Sequence, residues 1–386
     1  MTIGIDASRA FQKNKTGIEE YSYQVIKHLR DKLDNEPASP DARSAESRRA
    51  NRGEQVILYC NPTINTKPDF ELPKNWKIKF LRAPIFWTQF RLSVEMLFHP
   101  PDVLFVPAHT VPVIHPKNTL VTIHGLEYEF CPKAYSFWQR FYMRFSIRNS
   151  CRWAKKIIAV SENTKRDLMK LYKVPEKKIR VIYEGIGNHV TRNSKHETQD
   201  EKLQELYLLF IGRLEERKNI VGIIDAFELL KEKYNLPHKL ILAGKFGYGE
   251  SHIKYKIANS KYKEDIILAG YVSDEEKWEL LKNADVFLFP TFYEGFGLPI
   301  LEAQSVGTPV ITSNISSMPE VAGGSAVLVN PKDINEIAST VYKLISDESY
   351  KNDIIEKGLE NVKRFSWNKC AREVAEAILG VGEIRN

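Results

Sequence analysis

Short apolar runs alternate with amphipathic stretches along almost the whole chain. Runs at 3–6, 56–59, 103–106, 119–123 and 157–160 are nearly continuous in Val, Ile, Leu and Phe. Apolar runs of this length predict strands buried on both faces, as in a parallel sheet. A helical period over 18–33 follows the first run. After about residue 205 the alternation restarts, with runs at 207–211, 239–243, 266–269, 286–289 and 309–312 separated by helical stretches. Repeated strand–helix units lay strands in parallel and place helices on both faces. Two such series predict an α/β chain of two Rossmann-like domains.

Two polar stretches break the pattern. Residues 185–205, rich in Asn, Thr, Lys, Gln and Glu, read as the linker between the series. Residues 34–55 hold Pro37, Pro40 and a run of Arg without apolar periodicity, and read as an insertion. That insertion is either a surface loop or a loop on the acceptor side. A length of 386 residues suits two domains. No apolar run approaches the ~18 residues needed to span a bilayer. The N-terminal segment lacks the basic start of a signal peptide. The four cysteines have neither metal-ligand nor disulfide-framework spacing. A cytoplasmic protein with reduced thiols is therefore expected. Charge is unevenly shared: residues 1–190 carry 31 Lys and Arg against 19 Asp and Glu, the remainder 25 against 30. Opposite biases fit two domains with different surface duties. The basic half suits nucleic acid, an anionic membrane or an acidic substrate, or is an ordinary basic surface; no nucleic-acid motif accompanies it, so no nucleic-acid partner is expected.

Candidate chemistry concentrates after the strand at 286–289, in Phe292-Tyr-Glu-Gly-Phe-Gly-Leu-Pro-Ile-Leu-Glu302-Ala303. A glycine-rich turn lets backbone approach a ligand, and a helix N-terminus offers unpaired N–H groups to a phosphate. Glu294 and Glu302 bracket the turn and are suited to hold hydroxyls of a sugar and a ribose. After the strand at 207–211 stand Gly212, Arg213 and Lys218. Ligands of open α/β sheets bind at the carboxyl ends of strands, and two cations there can neutralise a diphosphate as its charge develops. On its own, Arg213-Leu-Glu-Glu-Arg-Lys218 also reads as a solvated charge cluster.

The segment Glu-Gly-Phe-Gly-Leu-Pro-x-x-Glu-Ala, with Gly-Arg-Leu…Lys-Asn before it, resembles the signature of retaining glycosyltransferases of family 4. That resemblance implies the GT-B fold, two Rossmann-like domains with parallel sheets facing an interdomain cleft. It implies domains at 1–185 and 186–366, with a final helix at 367–382 belonging to the first. It assigns Arg213 and Lys218 to the donor diphosphate, Glu294 to donor-sugar hydroxyls and Glu302 to the ribose. Gly295, Phe296, Gly297 and Leu298 would face phosphate. Lys245, Tyr271 and Val272 would lie near the donor, the latter two by the base. In the first half, Gly17 opens a helix as the family's first loop does, with one glycine where many members have two. His124, in Thr122-Ile-His-Gly125, resembles the family's His-Asp or His-Gly step beside the reacting sugar. Glu184 stands where the family often has Asn.

Residues 133–156 hold seven basic residues, seven aromatics and no acid. Arg140, Arg144, Arg148 and Arg152 recur every four residues and form a stripe on one helix face, beside Phe137, Phe141 and Phe145. The helix either docks its aromatics on the first sheet or lies in an anionic membrane interface. The expected function is retaining transfer of a hexosyl unit, mannosyl or glucosyl, from a nucleotide diphosphate sugar to a glycan or lipid-linked acceptor. No Asp-x-Asp motif is present, and the resemblance implies that cationic side chains replace a metal; no other cofactor is expected. The rival is a catalytically silent nucleotide-sugar binder or membrane-associated scaffold of the same fold.

Overall fold

The computed structural model describes residues 1–13, 15, 17–33, 54–83, 87–187 and 206–382. Most of the 34–55 insertion and of the 185–205 linker lie outside the described residues. The chain forms two compact units. The first comprises Met1–Leu126, Phe137–Gly185 and Ser366–Asn386, the second Glu127–Ser136 and Ile186–Phe365.

The first unit is built on β1 (Thr2–Asp6), β2 (Gln55–Cys60), β3 (Trp76–Phe80), β4 (Val103–Val106), β5 (Thr119–Ile123), β6 (Lys156–Ala159) and β7 (Ile179–Val181). All neighbours run parallel, in the order β3-β2-β1-β4-β5-β6-β7. The apolar runs of β1, β4 and β5 are buried along nearly their whole length, as two-sided helix cover requires. The helices in chain order are α1 (Gly17–Leu29), α2 (Ser93–Phe98), α3 (Glu127–Phe130, in the second unit), α4 (Phe137–Trp153) and α5 (Glu162–Tyr172).

The second unit contains β8 (Tyr207–Ile211), β9 (Lys239–Ala243), β10 (Ile266–Gly270), β11 (Val286–Phe289), β12 (Val310–Ser313) and β13 (Val327–Val329). They form a parallel sheet in the order β10-β9-β8-β11-β12-β13. Its helices are α6 (Ile220–Tyr234), α7 (Glu250–Ala258), α8 (Asp274–Asn283), α9 (Leu298–Ser305), α10 (Met318–Ala322), α11 (Ile334–Ser346) and α12 (Glu348–Val362). The last helix, α13 (Trp367–Gly382), packs on α1, β4 and β5 of the first unit. It buries Trp367, Cys370, Ala371, Val374 and Ile378 there. Arg180 with Glu376 (2.7 Å) and Lys155 with the Val381 carbonyl (3.1 Å) tie it further.

Several expectations are corrected. The first helix ends at Leu29 rather than 33, because the chain turns and still buries Leu33, which extends the apolar period beyond the helix. Gln55 belongs to β2, not to the insertion. β3, β7 and β13 were not foreseen. They are edge or three-residue strands, and β3 carries Lys77 and Lys79 within it. Segment 127–136 clusters with the second unit, although the sequence places it in the first.

Candidate functional site

In each sheet the strand order reverses between two neighbours: β1 and β4 in the first, β8 and β11 in the second. Ligands of open α/β sheets bind outside the carboxyl ends of strands at such a point. In the second unit, Gly212, Arg213 and Lys218 follow β8, and Glu294 follows β11.

The turns after β8 and β9 approach so closely that only glycine fits. A Cβ on Gly244, at φ +142°, would fall 1.8 Å from the Gly212 carbonyl oxygen. Beyond them a short 3-10 turn, Glu216–Lys218, precedes α6. Asn219 pins that turn. Its buried side chain donates to the carbonyls of Pro290 (3.0 Å) and Pro331 (2.7 Å), and its backbone sits at φ +60°. The Phe292 N–H also donates to the Arg217 carbonyl (2.9 Å). The loops after β8 and β11 are thus fastened before any side chain pairs.

The side chains then converge on Glu294. Lys218 donates to its Oε1, and Arg217 Nη1 reaches the same oxygen at 3.2 Å. Arg217 also holds the Tyr293 carbonyl (2.7 Å) and Glu215 (2.8 Å). Only about an eighth of the Lys218 and Glu294 side chains is exposed. Burial alone would raise the Glu294 pKa, but Lys218 and Arg217 outweigh it and hold the carboxyl below its ordinary range. Burial likewise works against the Arg217 charge and is overcome by Glu294 and Glu215, so its pKa is raised. The result is an ionised carboxylate fixed between Arg217 and Lys218, whose own pKa burial holds below the usual lysine range despite Glu294. The backbone of 294–296 is clamped by Ser316 and Ser317. Ser317 Oγ donates to the carbonyls of Glu294 (2.9 Å) and Phe296 (2.5 Å), and Ser316 Oγ to that of Glu294 (2.8 Å). Ser316 takes φ +59° to do so, a strained conformation of the kind that persists where the surroundings enforce it.

Gly297, at φ +121°, precedes α9, whose first turn contains Pro299. Gly295, Phe296 and Leu298 complete that turn, with Phe296 buried against Phe365. Glu302 pairs with Lys277 of α8 at 3.0 Å. Lys245 lies over the Tyr271 ring at 4.8 Å, which brings these two expected donor contacts together. Tyr271 is exposed, and Val272 follows it after β10. Arg213 is exposed and does not join the Glu294 cluster. The residue that does is Arg217, which the sequence reading left within a run of solvated charge. Lys277, Ser316 and Ser317 were also missed, for no spacing signal marks them.

In the first unit, Gly17 opens α1, and no described residue stands where its Cβ would be. His124 follows β5 and is nearly buried. Its Nδ1 faces Glu184 Oε1 at 3.2 Å and its Nε2 faces the Pro107 carbonyl at 2.8 Å. Tyr21 presents its ring edge to the imidazole at 4.6 Å. Both ring nitrogens are therefore engaged within the unit. His109, after β4, went unnoticed in the sequence. It sits at φ +26°, its N–H donates to the Thr122 carbonyl (3.0 Å), and its Nδ1 accepts from the His124 N–H (3.4 Å). Burial, with the neighbouring His124, pushes its pKa well below 6.5. A neutral ring accepting at Nδ1 carries its proton on Nε2. Among the described residues, no group of three or more His, Cys, Asp or Glu could hold a metal. No described helix is long and apolar enough to cross a membrane.

Comparison with known proteins identifies the family and the fold. The pattern of Glycosyltransferase Family 4 matches residues 16–187, and that of Glycosyl transferases group 1 matches 191–361. The chain is 29% identical to O-antigen chain mannosyltransferase B of Escherichia coli, over 94% of this chain and 95% of that one. It is 27% identical to O-antigen chain mannosyltransferase RfbU of Salmonella typhimurium, over 93% and 97%. Among solved structures, sucrose-phosphate synthase of Thermosynechococcus elongatus superposes with a TM-score of 0.74 at 17% identity, over 97% of this chain and 98% of that one. Two parallel-sheet units, each with its switch point furnished, and two adjoining family patterns lead to one assignment: the chain is a glycosyltransferase of family 4, with the GT-B fold.

Proposed function

We propose that the protein moves a hexosyl unit, mannosyl or glucosyl, from a nucleotide diphosphate sugar to a hydroxyl of a glycan or lipid-linked acceptor in polysaccharide assembly. The anomeric configuration is retained and no metal is used. The observation that carries this reading is the buried Lys218–Glu294–Arg217 cluster at the switch point of the second sheet. The two O-antigen mannosyltransferases, similar over nearly their whole length, favour mannose.

In the reaction the bond from C1 to the diphosphate oxygen breaks and one from C1 to the acceptor oxygen forms. The acceptor proton passes to a diphosphate oxygen. Negative charge grows on the leaving group, and Lys218 and Arg213 are the cations that answer it. An ammonium has three donors, so Lys218 can keep Glu294 and still reach a phosphate oxygen. Glu294 orients sugar hydroxyls, its carboxylate fixed by Arg217. Glu302 receives the ribose, and the backbone from Gly295 to Leu298 faces phosphate. Gly17 lies against the donor diphosphate and the acceptor, and His124 approaches the reacting sugar. The protein acts in the cytoplasm.

The test is a screen of GDP-mannose, UDP-glucose and ADP-glucose by calorimetry and nucleotide release, with and without EDTA. Selective binding of one donor and slow release that survives EDTA are expected. NMR of a transferred product then gives the anomer. Binding without release or transfer would favour the silent scaffold, and release abolished by EDTA would overturn the metal-free mechanism.

A further inference from the structure

Helix α4 turns Ser146, Ile147, Ser150 and Cys151 inward and leaves Phe137, Phe141 and Phe145 exposed. Its aromatics therefore do not dock on the first sheet, which was one of the two readings of this helix. The two serines hold the loop after β4. Ser146 Oγ donates to Thr110 Oγ1 (3.2 Å), and Ser150 Oγ accepts from the Val111 N–H (2.8 Å). That loop is under strain. The Thr110 N–H donates to the Ala108 carbonyl and closes a three-residue turn on His109, at φ +26°. A turn of this size with positive φ at its centre is rare and strained. Such strain persists only where the surroundings enforce it, and it gathers at functional sites.

The turn aims one imidazole. His109 follows β4, which neighbours β1 at the switch point of the first sheet. Its Nδ1 accepts from the His124 N–H (3.4 Å), so its proton stands on Nε2. That Nε2–H has no partner among the described residues, and the nitrogen is not buried. His124 is the opposite case. Its Nδ1 faces Glu184 Oε1 at 3.2 Å and its Nε2 faces the Pro107 carbonyl at 2.8 Å, which leaves no ring N–H for a substrate. Burial first, then His124 after β5 and Arg9 after β1, act against a second proton on His109. The ring is thus a fixed donor of one hydrogen bond and a poor base. Arg9 in turn pairs with Glu19 of α1 at 3.0 Å, with more than half of its own side chain exposed. Donors on His109 and Arg9, with the Glu19 carboxylate, suit a sugar ring, whose hydroxyls both accept and donate.

We propose that His109 is a substrate-contacting residue of the first unit, its Nε2–H donating to a hydroxyl oxygen of a saccharide. The inference rests on the transferase reading and gives that reaction a residue that no sequence pattern marked. His124 then acts on His109 as a positioning residue: its backbone N–H sets the tautomer of the neighbouring ring, while Glu184 and the Pro107 carbonyl hold its own.

The experiment compares His109→Phe, which keeps a ring and loses the N–H, with His109→Gln, whose amide restores a donor. Transfer is followed from GDP-mannose to methyl α-mannoside. Expected is a fall in kcat/KM of at least ~5-fold in the Phe variant, the scale of one hydrogen bond, and recovery of most of it in the Gln variant. A rise in the KM of one substrate alone names the sugar that His109 holds. Proton–nitrogen correlation spectra of the histidine-labelled parent need no turnover. They should show His109 neutral, with its proton on Nε2, from about pH 5.5 to 8, and its signal should move on addition of GDP-mannose or methyl α-mannoside. A ring that gains a second proton in this range, a proton on Nδ1, or a signal that neither sugar moves would overturn the proposal. So would a Phe variant equal to the parent, or a Gln variant no better than Phe. Absence of transfer by the parent would count against the transferase reading, and the spectra would still decide for His109.

Discussion

Glu294 and Lys218 form a pair in which each residue decides the state of the other. Glu294 keeps its charge in a buried place because Lys218 and Arg217 share one of its oxygens. Removing Lys218 leaves the carboxylate with Arg217, so Lys218→Ala should fold normally. Removing the Glu294 charge leaves two cations facing a neutral group, and breaking a buried pair this way costs about 3–5 kcal/mol. The informative variant is Glu294→Gln, which keeps the shape. Both substitutions should lower transfer at least ~100-fold, the scale for loss of one preorganised transition-state contact. Lys218→Ala should retain its melting temperature and Glu294→Gln should melt lower. Activity within a few-fold of the parent in both would sink the assignment. Glu294 and Lys218 were legible in the sequence as candidates because each stands in the loop that follows a strand, in a pattern with few alternatives. Arg217 was not legible. In Arg-Leu-Glu-Glu-Arg-Lys, spacing cannot tell the guanidinium that turns inward from the one that stays in solvent, and here it is Arg217, not Arg213, that turns inward.

At the scale of elements, apolar run length identified the central strands, because burial on both faces leaves little room for polar residues. Edge strands escape that rule, as Lys77 and Lys79 in β3 show. α4 is the sharper lesson: its period was legible, but not which face turns inward, since Ser146 and Ser150 bury through bonds to a distant loop. Polar pairing of a similar kind holds three elements of the second unit. Asp285, just before β11, joins His238, just before β9 (2.6 Å), to Lys351 of α12 (2.6 Å). Its hydrogen bonds from His238 and Lys351, with the Lys351 charge, outweigh burial and lower its pKa from 3.8 to about 2. A carboxylate with a depressed native pKa stabilises the fold fully above its unfolded pKa. That contribution is lost as pH falls from 3.8 through about 2. Asp285→Asn should lower stability near neutrality and flatten its decline across this acidic window. Denaturant unfolding at a series of pH values reads both effects, and parallel curves for the two proteins would refute them.

Across the whole molecule, the chain leaves the first unit at Gly185 and re-enters it at Ser366. The outgoing and returning segments pass at backbone contact. A Cβ on Gly185 would stand 2.1 Å from the Trp367 nitrogen and 2.4 Å from the Ser366 carbonyl carbon. No side-chain rotation relieves a clash with backbone, so the returning segment would have to move. Trp367 is the first residue of α13, and its ring edge meets Tyr21 of α1 at 6.1 Å. Tyr21 in turn touches His124 and bonds Thr122 (3.2 Å). Displacement at Gly185 therefore reaches the strand ends of the first unit through two aromatic contacts. Gly185→Ala should cost about 1–3 kcal/mol, the range for overpacking, and lower the melting of the first unit by roughly 5 °C. Differential scanning calorimetry with the donor bound should show a first-unit transition that moves and a second-unit transition that stays. Donor affinity should be largely kept, because Lys218, Glu294 and Glu302 all lie in the second unit. Equal displacement of both transitions, or of neither, would show that the crossing at Gly185 does not govern the stability of the first unit alone.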